Sequence, residues 1–121
     1  MSKGQQKVYE ILKDARDLLA QGWVQGIAWA TDVDGTECYC ATGAIREACM
    51  GAEPDKYRPK YFQKAVSKAL GTDTMWADTL DWTDEVFALQ HWNDDAERTK
   101  EEVLKAFDKA IENLEKELSD D

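Results

Sequence analysis

Three cysteines, Cys38, Cys40 and Cys49, and a single histidine, His91, are the residues whose types could carry metal or covalent chemistry in this chain of 121 residues. Structural zinc sites draw on two paired, closely spaced sets of ligands, and Cys38-x-Cys40 has no second pair to complete a tetrahedron. A thiol nucleophile at Cys40 or Cys49 with His91 as its base is an enzymatic alternative. It requires contact between segments far apart in sequence. Asp32-Val33-Asp34-Gly35 has the order of the middle of a calcium loop. The first ligand position, however, falls on Ala30 and the bidentate glutamate position on Ala41, so two essential ligands are missing. The cysteines read as small buried hydrophobes. No metal, cofactor or catalytic residue is assigned.

Two other constellations point to binding. Residues 71–97 hold eight Asp or Glu and no Lys or Arg, together with Met75, Trp76, Trp82, Phe87 and Trp92. Carboxylates around aromatic anchors suit a basic protein partner, because Trp is enriched at binding hot spots and unlike charge speeds encounter. Asp73, Trp76, Asp78, Asp81, Trp82, Asp84 and Glu85 are the residues expected to make that contact. The same anionic surface could stand in for nucleic acid in the groove of a DNA-binding protein. The plainer reading is a solvated acidic face whose tryptophans serve the core. The second constellation is Trp92-Asn93-Asp94 with Arg98. With Trp23, Asp32 and Asp34 it could wall a pocket for a small polar, nucleotide-like ligand. Its plainer reading is backbone capping at helix ends.

The length of the whole chain implies one domain, able to bury a core without staples. The formal net charge is −10. Such an excess of carboxylate argues against direct nucleic-acid binding and against anionic membranes. An odd number of cysteines argues for a reducing, cytoplasmic setting. No apolar run approaches the roughly 18 residues that a membrane span needs. Residues 54–70 carry five Lys or Arg and one Asp, a basic strip that could answer residues 71–97 within the fold or across a homodimer.

The elements that would position these residues follow from periodicity. Val8, Ile11, Leu12, Ala15 and Leu19 make one apolar stripe of a helix over 5–21, with Gly22 as its C-cap. A hairpin spans 24–40. In it Ile27, Trp29 and Thr31 alternate with small residues, so that one face can be buried, and the turn lies at 32–35. Ala41, Ala44, Ile45, Ala48 and Cys49 then fall on one face of a helix over 41–50. Pro54 and Pro59 break a connector, after which a helix over 59–70 buries Phe62, Ala65, Val66, Ala69 and Leu70 with Tyr61 beside them. A short helix over 83–92 is ended by Asn93-Asp94-Asp95. Thr99 and Glu102 form a capping box for a helix over 99–118, which buries Val103, Phe107, Ala110, Ile111, Leu114 and Leu118. The expected fold is mainly α, of the α+β type: a single compact domain of four to five helices around a small antiparallel β-hairpin.

Gly22-Trp23-x-x-Gly26, Asp34-Gly35, Cys40-x-x-Gly43-Ala44, Trp92-Asn93-Asp94 and Arg98-Thr99-x-Glu101-Glu102-Val103 together resemble a family of small uncharacterised proteins. It is a domain of unknown function from actinobacteria, phages and other mobile elements. The resemblance covers most of the chain and implies no reaction. It implies that Trp23, Gly26, Gly43, Asn93, Asp94, Arg98 and Thr99 belong to a common framework. The chain departs from the pattern in the length and acidity of residues 52–82, and in having Ala96-Glu97 where a Pro-Gly turn is usual. The association with phages implies a host-directed or anti-defence inhibitor, working in the host cytoplasm. A non-enzymatic acidic binding protein is therefore the leading expectation, ahead of the ligand binder and the Cys/His enzyme.

Overall fold

A computed structural model describes residues 3–51, 61, 65, 66, 68, 69 and 82–119, without the side chains of 3, 4, 51, 82–87, 118 and 119. The elements run α1 (Lys3–Gln21), β1 (Trp29–Thr31), β2 (Glu37–Tyr39), α2 (Ala41–Gly51), α3 (Trp82–Asp94) and α4 (Lys100–Ser119). The protein is mainly helical, with one small antiparallel hairpin.

α1 and α4 form the longest contact. Each is amphipathic, and the stripes read from spacing are the ones that meet: Val8, Leu12, Ala15 and Leu19 of α1, and Val103, Phe107 and Leu114 of α4, are fully buried. Polar pairs along the seam set its direction. Tyr9 donates to Glu115 at 3.0 Å, and Arg16 reaches Asp108 at 2.9 Å, so rising numbers in α1 meet falling numbers in α4 and the helices are antiparallel. α2 packs across α1 with Ala44, Ile45, Ala48 and Cys49 buried. The described residues between α2 and α3 are helical, and Tyr61, Ala65, Val66 and Ala69 join the same core. Lys68 of that basic strip bonds Glu117 of α4 at 2.9 Å, so one of its charges answers the last helix.

The hairpin is shorter than the alternation suggests. β1 pairs β2 in the register Trp29↔Tyr39, Ala30↔Cys38 and Thr31↔Glu37. Residues 24–28 do not extend β1. Val24 N–H donates to the Tyr39 carbonyl and Tyr39 N–H to the Gly22 carbonyl, so residues 22–24 line the far edge of β2 instead. The face expected to be buried is also open: Ile27 is 53% and Trp29 51% exposed. Alternation shows that two faces differ, not which one a helix will cover.

Gly22 and Gly43 let these layers close. Gly22 follows α1 as expected, but it is needed for proximity: a Cβ there would lie 2.7 Å from the Cys38 Sγ. At Gly43 a Cβ would lie 2.1 Å from the Ala28 carbonyl oxygen, so only glycine lets α2 approach the strand this closely. α3 also differs from expectation. Asn93 and Asp94, expected to end it, form its last turn. Their side chains bond outward to another segment and do not compete with their own helix backbone.

Candidate functional site

Asn93 is fully buried near the end of α3, one turn from the buried Leu89. Its Oδ1 accepts the Trp23 indole N–H at 2.7 Å and the Ala41 backbone N–H at 2.9 Å. Its Nδ2 donates to the Val24 carbonyl at 3.2 Å and to Asp94 Oδ1 at 3.0 Å. One amide thus ties α3 to the strand that lines β2 and to the first residue of α2, and all four of its hydrogen-bonding positions are used.

Asp94 extends the joint. Its Oδ1 accepts the Gly26 backbone N–H at 2.9 Å and its Oδ2 the Gln90 amide at 3.1 Å. Burial alone would raise the Asp94 carboxyl pKa. The donors Gly26, Asn93 and Gln90, with the nearby His91, outweigh burial and hold it below the ordinary carboxylate value. Gln25 completes the bridge by donating to the carbonyls of Asn93 and Asp95, at 3.0 and 2.7 Å.

On the other side stands Cys40, which caps α2. Its carbonyl accepts from Ala44 and its Sγ accepts the Gly43 N–H at 3.2 Å, the place usually filled by Ser, Thr, Asp or Asn. The thiol also contacts Gln90 Oε1 at 3.7 Å. A helix N-terminus ordinarily favours a thiolate. Here burial dominates and pushes the Cys40 thiol up, and burial pushes Cys49 to about 11. Both stay protonated thiols near neutral pH, unsuited to nucleophilic work. His91 lies exposed on α3. Among the described residues no three His, Cys, Asp or Glu side chains gather as a metal site.

Of the residues expected to wall a ligand pocket, the structure brings Trp23, Asn93 and Asp94 into one hydrogen-bonded joint. Asp32 and Asp34 are elsewhere, in the exposed hairpin turn, where Asp32 Oδ1 accepts the N–H groups of Asp34 and Thr36, each at 2.9 Å. Trp92 and Arg98 pair with each other. The guanidinium lies 4.2 Å from the Trp92 ring centroid, donates to the Trp92 carbonyl at 2.9 Å and reaches Glu102 at 3.3 Å. Glu102 closes the capping box with Thr99, accepting its N–H at 3.0 Å and donating its own to Thr99 Oγ1 at 3.2 Å. These residues fasten α3 to α4.

Among the residues expected to contact a partner, Asp73, Trp76, Asp78 and Asp81 lie outside the described residues. Trp82, Asp84 and Glu85 open α3, with side chains outside the description. Of the remaining acids in 71–97, Asp94 holds the joint, Asp95 accepts the Glu97 N–H at 3.0 Å, and Glu97 is exposed.

The open surface of the hairpin was not among the expected sites. A cleft of about 250 Å³ lies between β1 and α2, bounded by Trp29, Tyr39, Gly43, Arg46, Glu47 and Met50. Met50 is 59% exposed. It falls off the stripe Ala41, Ala44, Ile45, Ala48 and Cys49, and that offset is the signal by which the sequence could have revealed it. Gln25 and Gln90 carry no comparable signal, since a lone glutamine has no characteristic spacing.

Among the described residues no helix is long and apolar enough to cross a membrane. Residues 3–113 match the model of a protein family described as a family of unknown function, DUF6197. Neither a curated protein nor a solved structure matches the chain.

Proposed function

The chain belongs to this family of unknown function, and from its residues we propose that it is a non-enzymatic binding protein for a basic protein partner, engaged through the acidic surface of residues 71–97. The observation that carries the reading is charge distribution: those residues hold eight acids and no Lys or Arg in a chain of net charge −10. The site geometry supports it indirectly. The polar side chains best placed for ligand chemistry are spent on the joint around Asn93, and the thiols of Cys40 and Cys49 are buried and protonated. In its sharpest form the partner is a nucleic-acid-binding protein whose groove the carboxylates occupy, as an anti-defence protein of a phage would do in its host.

The test is capture from host lysate by the wild type and by a variant in which Asp78, Asp81, Asp84 and Glu85 are all changed to Lys. The expected outcome is a partner held by wild type, absent from the variant, and released as salt is raised, because exposed charges are screened over about 8–10 Å near physiological ionic strength. Equal capture by both proteins, or capture insensitive to salt, removes the reading. Competition of the captured partner by duplex DNA separates nucleic-acid mimicry from other acidic docking.

A further inference from the structure

The two edges of the small sheet are treated differently. In an antiparallel pair, alternate residues turn their N–H and C=O toward the partner strand and the others turn them away. Cys40 N–H donates to the Ala28 carbonyl and Asp32 N–H to the Thr36 carbonyl, so residues 28, 30 and 32 face β2. The backbone groups of Trp29 and Thr31 therefore point away from it. On β2 the outward groups belong to Glu37 and Tyr39: residues 22–24 satisfy both of Tyr39's, and the Gln21 amide donates to the Glu37 carbonyl at 3.4 Å. Among the described residues nothing does the same for β1. Its free edge is flanked by Ile27, Trp29 and, in the turn, Val33, which is 102% exposed. Beside it opens the cleft toward Met50. Proteins usually blunt such an edge with lysine, proline or a covering segment, and among the described residues β1 has none of these.

From this we propose that the free edge of β1 receives an extended, basic peptide segment of another protein by β-augmentation. The peptide backbone pairs with the N–H and C=O of Trp29 and Thr31, and an apolar side chain sits between Trp29 and Met50. Charge selects the occupant. Residues 22–51 carry four acids, Asp32, Asp34, Glu37 and Glu47, against Arg46 alone. A second copy would bring net −3 against net −3 across one small contact, whereas a lysine-bearing strand meets Asp32 and Asp34 in the turn and Glu47 on the wall of the cleft. This site draws on none of residues 71–97, so the two readings are tested independently.

Fluorescence anisotropy with the full chain tests it. The probe is a fluorescein-labelled nonapeptide of alternating lysine and valine. Its controls are the glutamate–valine counterpart and a lysine–valine peptide N-methylated along one edge. Thr31→Pro is the informative variant: it deletes an outward N–H, and proline is tolerated on an edge strand when that N–H is not in the ladder. We expect the lysine peptide to bind, the glutamate peptide not to, and at least a tenfold loss for Thr31→Pro with an unchanged circular dichroism spectrum. N-methylation of the peptide should cause a similar loss, and this reads the pairing even if Thr31→Pro does not fold. The variant with Lys at positions 78, 81, 84 and 85 should keep its peptide affinity. Equal binding by wild type, Thr31→Pro and the N-methylated peptide would reduce the effect to bulk charge attraction and overturn the proposal. So would loss of binding in the 78/81/84/85 variant with Thr31→Pro unaffected. Sedimentation showing a wild-type dimer that Thr31→Pro dissociates would give the edge to a second copy instead.

Discussion

A single buried amide carries more of this structure than any charged group. Asn93 satisfies the Trp23 indole, the Ala41 N–H and the Val24 carbonyl at once. Its removal strands several buried or half-buried polar groups together, each costing about 1–3 kcal/mol when left without a partner. Water can reach part of the half-buried Trp23, so the sum is discounted. Asn93→Ala should lower the unfolding free energy by about 3 kcal/mol, read as a shift of the urea midpoint with an unchanged slope. Asn93→Asp should not rescue it, because it loses both donors and sets a second carboxylate against Asp94. A midpoint within experimental error of wild type would mean that water replaces the joint. The surface ion pairs stand in contrast. Arg16–Asp108 is well formed at 2.9 Å but open to solvent, and pairs of that kind contribute little.

At the level of elements, much of the architecture is legible in the spacing of side chains. The stripes of α1, α2 and α4 appear as periodic apolar positions, and the Thr99–Glu102 box marks the start of α4. What spacing cannot show is partnership across the chain. Asn93 and Asp94 look like helix breakers because, locally, their short polar side chains compete for backbone groups. In the fold they are recruited by residues 23–26, and α3 runs on through them. Likewise Ile27 and Trp29 alternate as a buried face would, yet both are about half exposed. Cys40 shows no sign of capping, because sulfur seldom serves there. Gly43 is the element-scale determinant most open to test. Alanine favours a helix interior over glycine by about 1 kcal/mol, but its Cβ would press on the Ala28 backbone at 2.1 Å. Overpacking of that kind costs about 1–3 kcal/mol, and backbone yields less readily than a side chain. Gly43→Ala should therefore be net destabilising by about 1–2 kcal/mol in a thermal or urea melt. A stabilised variant would mean that α2 and the hairpin part easily.

Across the whole molecule, charge is sorted as well as abundant. Asp108 and Glu115 of α4 serve the seam with α1, while the acids of 71–97 are balanced by no base within that span. The free edge of β1 lies in a second stretch with an excess of acids, and under the two proposals made above the complement of both is a basic partner. The joint at Asn93 also shapes how the chain reaches this state. Its bonds to Trp23 and Ala41 span 70 and 52 residues of sequence, whereas the helices and the hairpin close locally. Closing such long loops is entropically unfavourable until other contacts have drawn the segments together. The joint should therefore act as a latch that engages after the barrier, so that its strength governs how long a folded molecule persists and not how fast one forms. In a stopped-flow chevron, Asn93→Ala should leave the refolding limb within about twofold and raise the unfolding rate on the order of a hundredfold. A refolding limb that slows by that factor would instead place the amide in the nucleus itself.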